Sequence, residues 1–96
     1  MEGNLAVMSD SFKMAVANIY SLHDGPAVTG IIETGSVKVG DALTLKGSLG
    51  DLPVRVTFIQ RFRETLESAQ AGAEPVGLTL SGVEADQIRN RDILVG

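Results

Sequence analysis

Apolar residues in this chain recur at every second position within short segments, and turns that contain glycine separate the segments. The clearest case is Val54, Val56 and Phe58, which share one parity along the chain. Because successive side chains of a strand point to opposite faces of a sheet, this period predicts a strand with one buried face. A chain of 96 residues leaves room for one domain built from such strands. The pattern therefore predicts an all-β domain.

Six segments have the alternation or the β-branched composition of strands, and turn residues separate them. They are residues 12–20, 27–33, 42–46, 54–63, 76–82 and 92–95. Residues 64–69 have the composition of a short helical connector, and residues 83–90 hold one helical turn with Ile88 as its apolar anchor. Six strands with almost no helix predict a small closed antiparallel β-barrel, since closure removes exposed sheet edges.

Gly30 and the first residues of the chain indicate where the barrel bends and where it begins. Gly30 interrupts a segment rich in β-branched residues, which indicates a bend or a close approach of another backbone. Residues 1–11 show no period, so we expect a flexible N-terminal tail followed by a single barrel domain over residues 12–96. The N-terminus carries an acid where a signal peptide carries bases, and all apolar stretches are short. We therefore expect a cytoplasmic domain that does not enter a membrane.

The chain lacks the motifs of the common catalytic sites. It has no cysteine, no phosphate-binding loop, no dinucleotide-binding glycine motif and no zinc-binding helix motif. His23 is the one histidine and lies in a predicted turn, where we expect it to be solvent-exposed. We therefore expect no catalytic residue, no metal site and no cofactor.

The charged residues limit how this domain could bind a nucleic acid. Eight basic and twelve acidic residues give a net charge of −4, so we expect no general attraction to DNA or RNA. Arg55, Arg61 and Arg63 share the parity opposite to Val54, and guanidinium groups on one face could grip phosphates. The same residues could equally form an ordinary solvated face that pairs with Glu64 and Glu67. Any nucleic-acid contact must come from a local patch such as this one.

Several motifs occur in the order seen in one known family. The matching segments are residues 12–16, 18–21, 25–41, 58–66, 71–83 and 88–94. Together they closely resemble the second domain of translational GTPases such as elongation factor Tu. The resemblance implies a six-stranded Greek-key β-barrel that binds and does not catalyse, working beside a GTPase domain. In that family the domain helps to hold the aminoacylated 3′ end of tRNA, touches ribosomal RNA and packs on the GTPase domain.

The resemblance also implies roles for individual residues. Arg63 matches the family arginine near the tRNA acceptor end, and Gln60 takes the place of a glutamate that meets the terminal adenosine. Phe62 matches the adjoining core aromatic. Since strict alternation puts Gln60 and Arg63 on opposite faces, their joint use requires a bulge or bend near Arg61.

Two function classes follow from these observations. In the first, the domain contacts RNA, either tRNA or ribosomal RNA, or packs on a GTPase or ribosomal protein. The residues predicted to do this are Arg55, Gln60, Arg61 and Arg63. In the second, the barrel is a protein-interaction scaffold that has lost nucleic-acid binding. The acidic composition favours this second class, as does Asp24, which stands where the family loop has an arginine.

Overall fold

The computed structural model describes residues 11–23, 25–47 and 50–96, which form short β-strands and one 3-10 helix, Ala85–Gln87. The strands are β1 Lys13–Ala15, β2 Asn18–Leu22, β3 Gly25–Gly30, β4 Ile32–Thr34, β5 Ser36–Lys38, β6 Ala42–Gly47, β7 Gly50–Arg61, β8 Glu64–Leu66, β9 Ser68–Gln70, β10 Val76–Ser81 and β11 Ile93–Val95.

Backbone pairing closes the main sheet into a barrel. The strands pair in the order β2-β3-β10-β7-β6-β11-β1, and every pair is antiparallel. β1 and β2 are parts of one run of chain, joined by Val16 and Ala17. The Val16 N–H donates to the Asp92 carbonyl and the Ala17 N–H to the Thr29 carbonyl, both at 2.8 Å. Because this run pairs with β11 at one end and β3 at the other, the sheet meets itself.

The barrel has the predicted number of strands and the Greek-key connection. β4 continues β3 past a bend and pairs with β1, so β1–β2 and β3–β4 form one long bent hairpin. With each of these runs counted once, the ring has six strands. β6, β7 and β10 lie side by side in chain order, and β11 returns to lie beside β6. The predicted six-stranded Greek-key barrel is confirmed.

The interior of the barrel is filled by apolar side chains, nearly all of them without an aromatic ring. Met14, Val28, Ile59, Leu78 and Leu94 are all fully buried. Further buried core residues are Phe12, Val16, Ile32, Val37, Leu43, Leu45, Val54, Val56, Val76, Leu80, Val83 and Ile88. Burial of Ile88 next to the 3-10 helix confirms it as the anchor of that segment. Their removal from water is the main favourable term for folding.

The predicted helical connector at residues 64–69 is wrong. Residues Phe62 and Arg63 form a two-residue turn that sends the chain back against β7, so that Arg61 pairs with Glu64. The chain then runs through β8 and on to β9, which pairs with β5 in a small separate sheet. Helix propensity is a weak preference, and this pairing of strands overrides it.

The alternation predicted for β7 holds only as far as Val56. The pairing with β10 shifts register there, because Leu80 lies opposite Val56 and Thr79 lies opposite Phe58. Thr57 is therefore the extra residue of a β-bulge, and the parity of β7 reverses after it. Ile59 is fully buried, whereas Phe58 is 41% exposed. The prediction that Phe58 points into the core is wrong for this reason.

Phe62 also departs from its predicted place in the core. Its side chain is 75% exposed at the turn between β7 and β8, and its φ of 58° is in the left-handed region. The bend that joint use of Gln60 and Arg63 requires near Arg61 is this turn, since the bulge at Thr57 precedes both residues. A bulky residue with positive φ is a rare backbone outlier.

Arg91 has the second left-handed backbone among the described residues other than glycine. Its φ is 79°, in a turn that the Asp92 N–H closes on the Arg89 carbonyl. The Arg91 N–H donates to the Val16 carbonyl at 2.9 Å, so the turn is held against β1–β2. Glycine would relieve this strain. It would also make the unfolded chain more flexible, which offsets part of the gain, so we expect Arg91→Gly to raise the free energy of unfolding by about 0.5–1 kcal/mol.

Urea denaturation of the two variants Arg91→Gly and Arg89→Gly checks this expectation. Arg89 lies outside the left-handed region, and its guanidinium donates to the Asp86 carbonyl at 3.1 Å. Arg89→Gly should therefore lower stability. A loss of stability in both variants would contradict the strain assigned to Arg91.

Candidate nucleic-acid interface

A row of side chains on the outside of the barrel begins and ends with an aromatic residue. Tyr20 on β2 pairs with Ala27 on β3, Ala27 pairs with Thr79 on β10, and Thr79 pairs with Phe58 on β7. Tyr20 is 50% exposed and Phe58 is 41% exposed, so both rings face solvent. With strands about 4.8 Å apart, three steps separate the aromatic residues by about 14 Å along the sheet.

A second outward row runs beside the first. Asn18 pairs with Thr29, Thr29 with Gly77, and Gly77 with Gln60, after which Gln60 pairs with Thr65 on β8. We call these two rows together the outer face. The residues between the rows alternate inward, and Val28, Leu78 and Ile59 are fully buried beneath it.

Small residues form the middle of the outer face. Ala27 and Gly77 lie on its two central strands, between Tyr20 on one side and Phe58 on the other. A Cβ atom placed on Gly77 would have Thr29 Cγ2 as its nearest neighbour, at 3.7 Å, so a methyl group fits here in ordinary van der Waals contact. The outer face therefore has small residues on the strands between its two aromatic residues.

No acidic residue lies in the two rows, although the chain as a whole carries a net charge of −4. The nearest charged residue of β7 that points to the same side is Arg55, which pairs with Ser81 and Ala42. Arg55 Nη1 donates to the Gly40 carbonyl at 2.7 Å. Because a guanidinium has five N–H donors, this bond leaves others for an anion. The outer face thus presents a cation at its border and neutral groups within it.

The structure divides the four residues predicted to form the site. Arg55 and Gln60 point outward, and the bulge at Thr57 brings them to the same side of β7. Arg61 has the opposite parity, and its Nε lies 3.9 Å from Glu74 Oε1. Arg63 is exposed in the turn between β7 and β8. The prediction that Arg55, Arg61 and Arg63 share one strand face is wrong, since that prediction assumed unbroken alternation.

Arg61 instead lines an open cleft of about 950 Å³ between the β5–β9 sheet and the barrel. Lys38, Asp41 and Glu74 also line it, so positive and negative charges are balanced there. The Lys38 N–H donates to Asp41 Oδ2 at 2.9 Å, which occupies that carboxylate in a turn. This balance makes the cleft a poorer site for a polyanion than the outer face.

His23 is exposed in its turn, as predicted. Within residues 11–23, 25–47 and 50–96, histidine and acidic side chains do not cluster in threes that could hold a metal ion. Over the same residues, no helix has the length and apolar character needed to cross a membrane.

Sequence reasoning missed Tyr20 and Phe58 as candidate binding residues. Both were parts of recognised motifs, but their joint position depends on the pairing of four strands that are distant in sequence. For Phe58 the alternation itself was misleading, because the bulge precedes it. The one local signal for such a binding residue is an aromatic residue next to polar residues, and Tyr20 beside Ser21 has this pattern.

Comparison with known proteins shows the family of this barrel. A model of the family described as elongation factor Tu domain 2 matches residues 25–95, which is most of the chain. The chain belongs to this family. The resemblance drawn from the motifs is thereby confirmed, and with it a place among the domains of translational GTPases.

Solved structures of a translation factor have the same fold. The apo form of translation elongation factor SelB from Methanococcus maripaludis matches with a TM-score of 0.81 and 36% sequence identity. The same factor in complex with the GTP analogue GppNHp matches equally well. Each match covers 91% of this elongation factor Tu domain 2-like chain and 19% of the SelB chain. The chain therefore spans about a fifth of the length of these relatives.

Proposed function

We propose that this domain is an RNA-binding module of a translational GTPase, and that the outer face binds an unpaired nucleotide, as at the acceptor end of tRNA. The observation that carries the proposal is the row from Tyr20 to Phe58, with two exposed aromatic rings on either side of small residues. Proteins read single-stranded RNA by stacking its bases on aromatic side chains. The small residues between the rings let a base approach the sheet.

Electrostatics support the same assignment. Phosphates on either side of the docked base would meet Arg55 at one border of the outer face and the exposed Arg63 beyond the other, without passing an acidic side chain of the two rows. Gln60, in the second row, has both a donor and an acceptor for a base edge. The neutral side chain of Gln60 also avoids the repulsion that a carboxylate would exert on phosphate.

In this proposal the domain binds its ligand and catalyses no reaction. Its place of action is the cytoplasm, where translation factors meet tRNA and ribosomal RNA. A GTPase assay on the purified domain tests the absence of catalysis, and hydrolysis above a buffer blank would contradict it.

Titration with RNA tests the binding proposal directly. The probe is an acceptor-stem RNA with a single-stranded 3′ end, and the control is the same stem with a blunt end. We expect saturable binding of the first RNA only, weakening as salt rises because phosphate contacts release counterions. Equal binding of both RNAs, or of neither, would contradict the proposal.

Reversal of one charge should distinguish RNA binding at the outer face from RNA binding in the cleft. We expect Arg55→Glu to weaken binding of the single-stranded RNA at low salt and to reduce the slope of log K against log salt by about 0.7. Arg61→Glu is the control, because Arg61 faces the cleft beside Glu74. Fluorescence anisotropy over a series of salt concentrations measures both. A larger effect from Arg61→Glu would place the RNA in the cleft.

One observation favours a protein partner as a second candidate function. Phe62 is 75% exposed and holds a left-handed backbone, so its side chain contributes little to the fold itself. Ile31, in the bend between β3 and β4, is 46% exposed. Exposed apolar side chains of this kind suit the surface of a neighbouring domain. Loss of a protein contact in Phe62→Ala with unchanged RNA binding would support this second role.

A further inference from the structure

The bulge at Thr57 decides which residues of β7 belong to the outer face. Arg55 points outward before it, and Phe58 and Gln60 point outward after it. In an unbroken strand Phe58 and Gln60 would share the parity of Val56, which is buried. A shift of one residue reverses the two faces of a strand. Without the bulge, Phe58 and Gln60 would point into the barrel and Ile59 would point out.

Hydrogen bonds hold the bulge on both sides. Val56, just before it, donates its N–H to the Asp41 carbonyl at 3.0 Å and accepts from the Gly40 N–H at 2.7 Å. On the other side, Thr57 Oγ1 donates to the Thr79 carbonyl at 3.3 Å. Thr79 is only 7% exposed and lies in the first row, directly opposite Phe58. The hydroxyl of Thr57 thus ties the bulge to the centre of the outer face.

We propose that Thr57 is a positioning residue for the RNA site, which rests on the function proposed above. Its hydroxyl fixes the bulge in the conformation that turns Phe58 and Gln60 outward. The hydrogen bond joins Thr57 to β10, the strand that carries Thr79 and Gly77. Thr57 itself needs no contact with the RNA to have this effect.

Three substitutions test the role of this hydroxyl. Thr57→Val removes the hydroxyl and keeps a β-branched shape, and Thr57→Ser keeps the hydroxyl. Thr44→Val is the matched control, since Thr44 lies on β6 opposite Pro53 and Val95, away from the outer face. All three are expected to remain folded, because each keeps a side chain of similar size on a barrel strand.

We expect Thr57→Val to bind the single-stranded acceptor-stem RNA more weakly, by up to about fivefold, the most by which one lost hydrogen bond can shift the population of the binding conformation. Thr57→Ser and Thr44→Val should bind as the unchanged protein does. NMR adds a readout that does not depend on RNA. Cross-strand NOEs between Phe58 and Thr79 should be present in the unchanged protein and in Thr57→Ser, and reduced in Thr57→Val.

The outcomes separate the two proposals. Unchanged binding and unchanged NOEs in Thr57→Val, together with lost binding in Gly77→Val, would overturn the role of Thr57 and leave the RNA site in place. Equal weakening in Thr57→Val and Thr57→Ser would overturn the role of the hydroxyl. Failure of the unchanged protein to bind the RNA would overturn both proposals.

Discussion

Replacement of Gly30 with alanine is expected to unfold the domain, or to lower its free energy of unfolding by about 3 kcal/mol or more. A Cβ atom at this position would overlap the carbonyl oxygen of Ala15 and lie 3.4 Å from Met14 Cε. The obstacle is backbone, which cannot turn aside as a side chain can. Gly30 ends β3 at the bend that leads into β4. At this bend the pairing partner changes from β2 to β1, and the close approach of the two backbones there helps to close the barrel.

Gly77→Ala is the control for Gly30→Ala. Both glycines are in paired strands, and a Cβ at Gly77 would have its nearest neighbour at 3.7 Å. We therefore expect Gly77→Ala to be as stable as the unchanged protein or slightly more so, because alanine loses less backbone entropy on folding. Urea denaturation and the dispersion of amide NMR signals measure both variants. Similar stability of the two would show that β1 and β3 are not in close contact at Gly30.

The second large effect concerns the binding of RNA. We expect Gly77→Val to weaken binding of the single-stranded acceptor-stem RNA by about 10- to 100-fold, the loss expected when one stacked base is displaced. Gly77 is at the centre of the outer face, so a branched side chain there would fill the space for the base. The fold should persist, since valine suits a strand and nothing lies within 3.7 Å of the new Cβ.

Gly72→Val provides the matched control for this loss of binding. Gly72 is exposed in the loop before β10, and a Cβ there would have the Gln70 carbonyl as its nearest neighbour, at 3.8 Å. It lies beside the cleft and outside the two rows. Anisotropy titrations of both variants, with thermal melts to confirm folding, give the comparison. Full RNA binding by Gly77→Val, or loss of RNA binding in Gly72→Val, would show that the RNA does not bind at the outer face.

Much of the barrel could be predicted from sequence because its signals are local. Alternation placed strands close to β6 and β10, and Gly30 marked a close backbone approach that the structure shows. The short helical turn after β10 was also predicted, with Ile88 as its apolar anchor. These features depend on neighbours within a few residues of each other.

The candidate site was less predictable because it depends on pairing between distant strands. Tyr20 and Phe58 are far apart in sequence, and only the register of four strands puts them in one row. The bulge at Thr57 leaves no mark in the apolar pattern before it. The predicted orientations of Phe58 and Arg61 were wrong for this reason. The turn at Phe62 was hidden as well, because glycine is the residue expected where φ is positive.

The claim that the outer face binds unpaired RNA is tested most directly by NMR. Protein labelled with ¹⁵N would be titrated with the acceptor-stem RNA that ends in a single-stranded 3′ end. We expect saturable shifts of the amide signals of Tyr20, Thr29, Gly77 and Gln60, and no shifts with the blunt-ended RNA. Absence of shifts, or shifts confined to the cleft around Arg61, would contradict the claim.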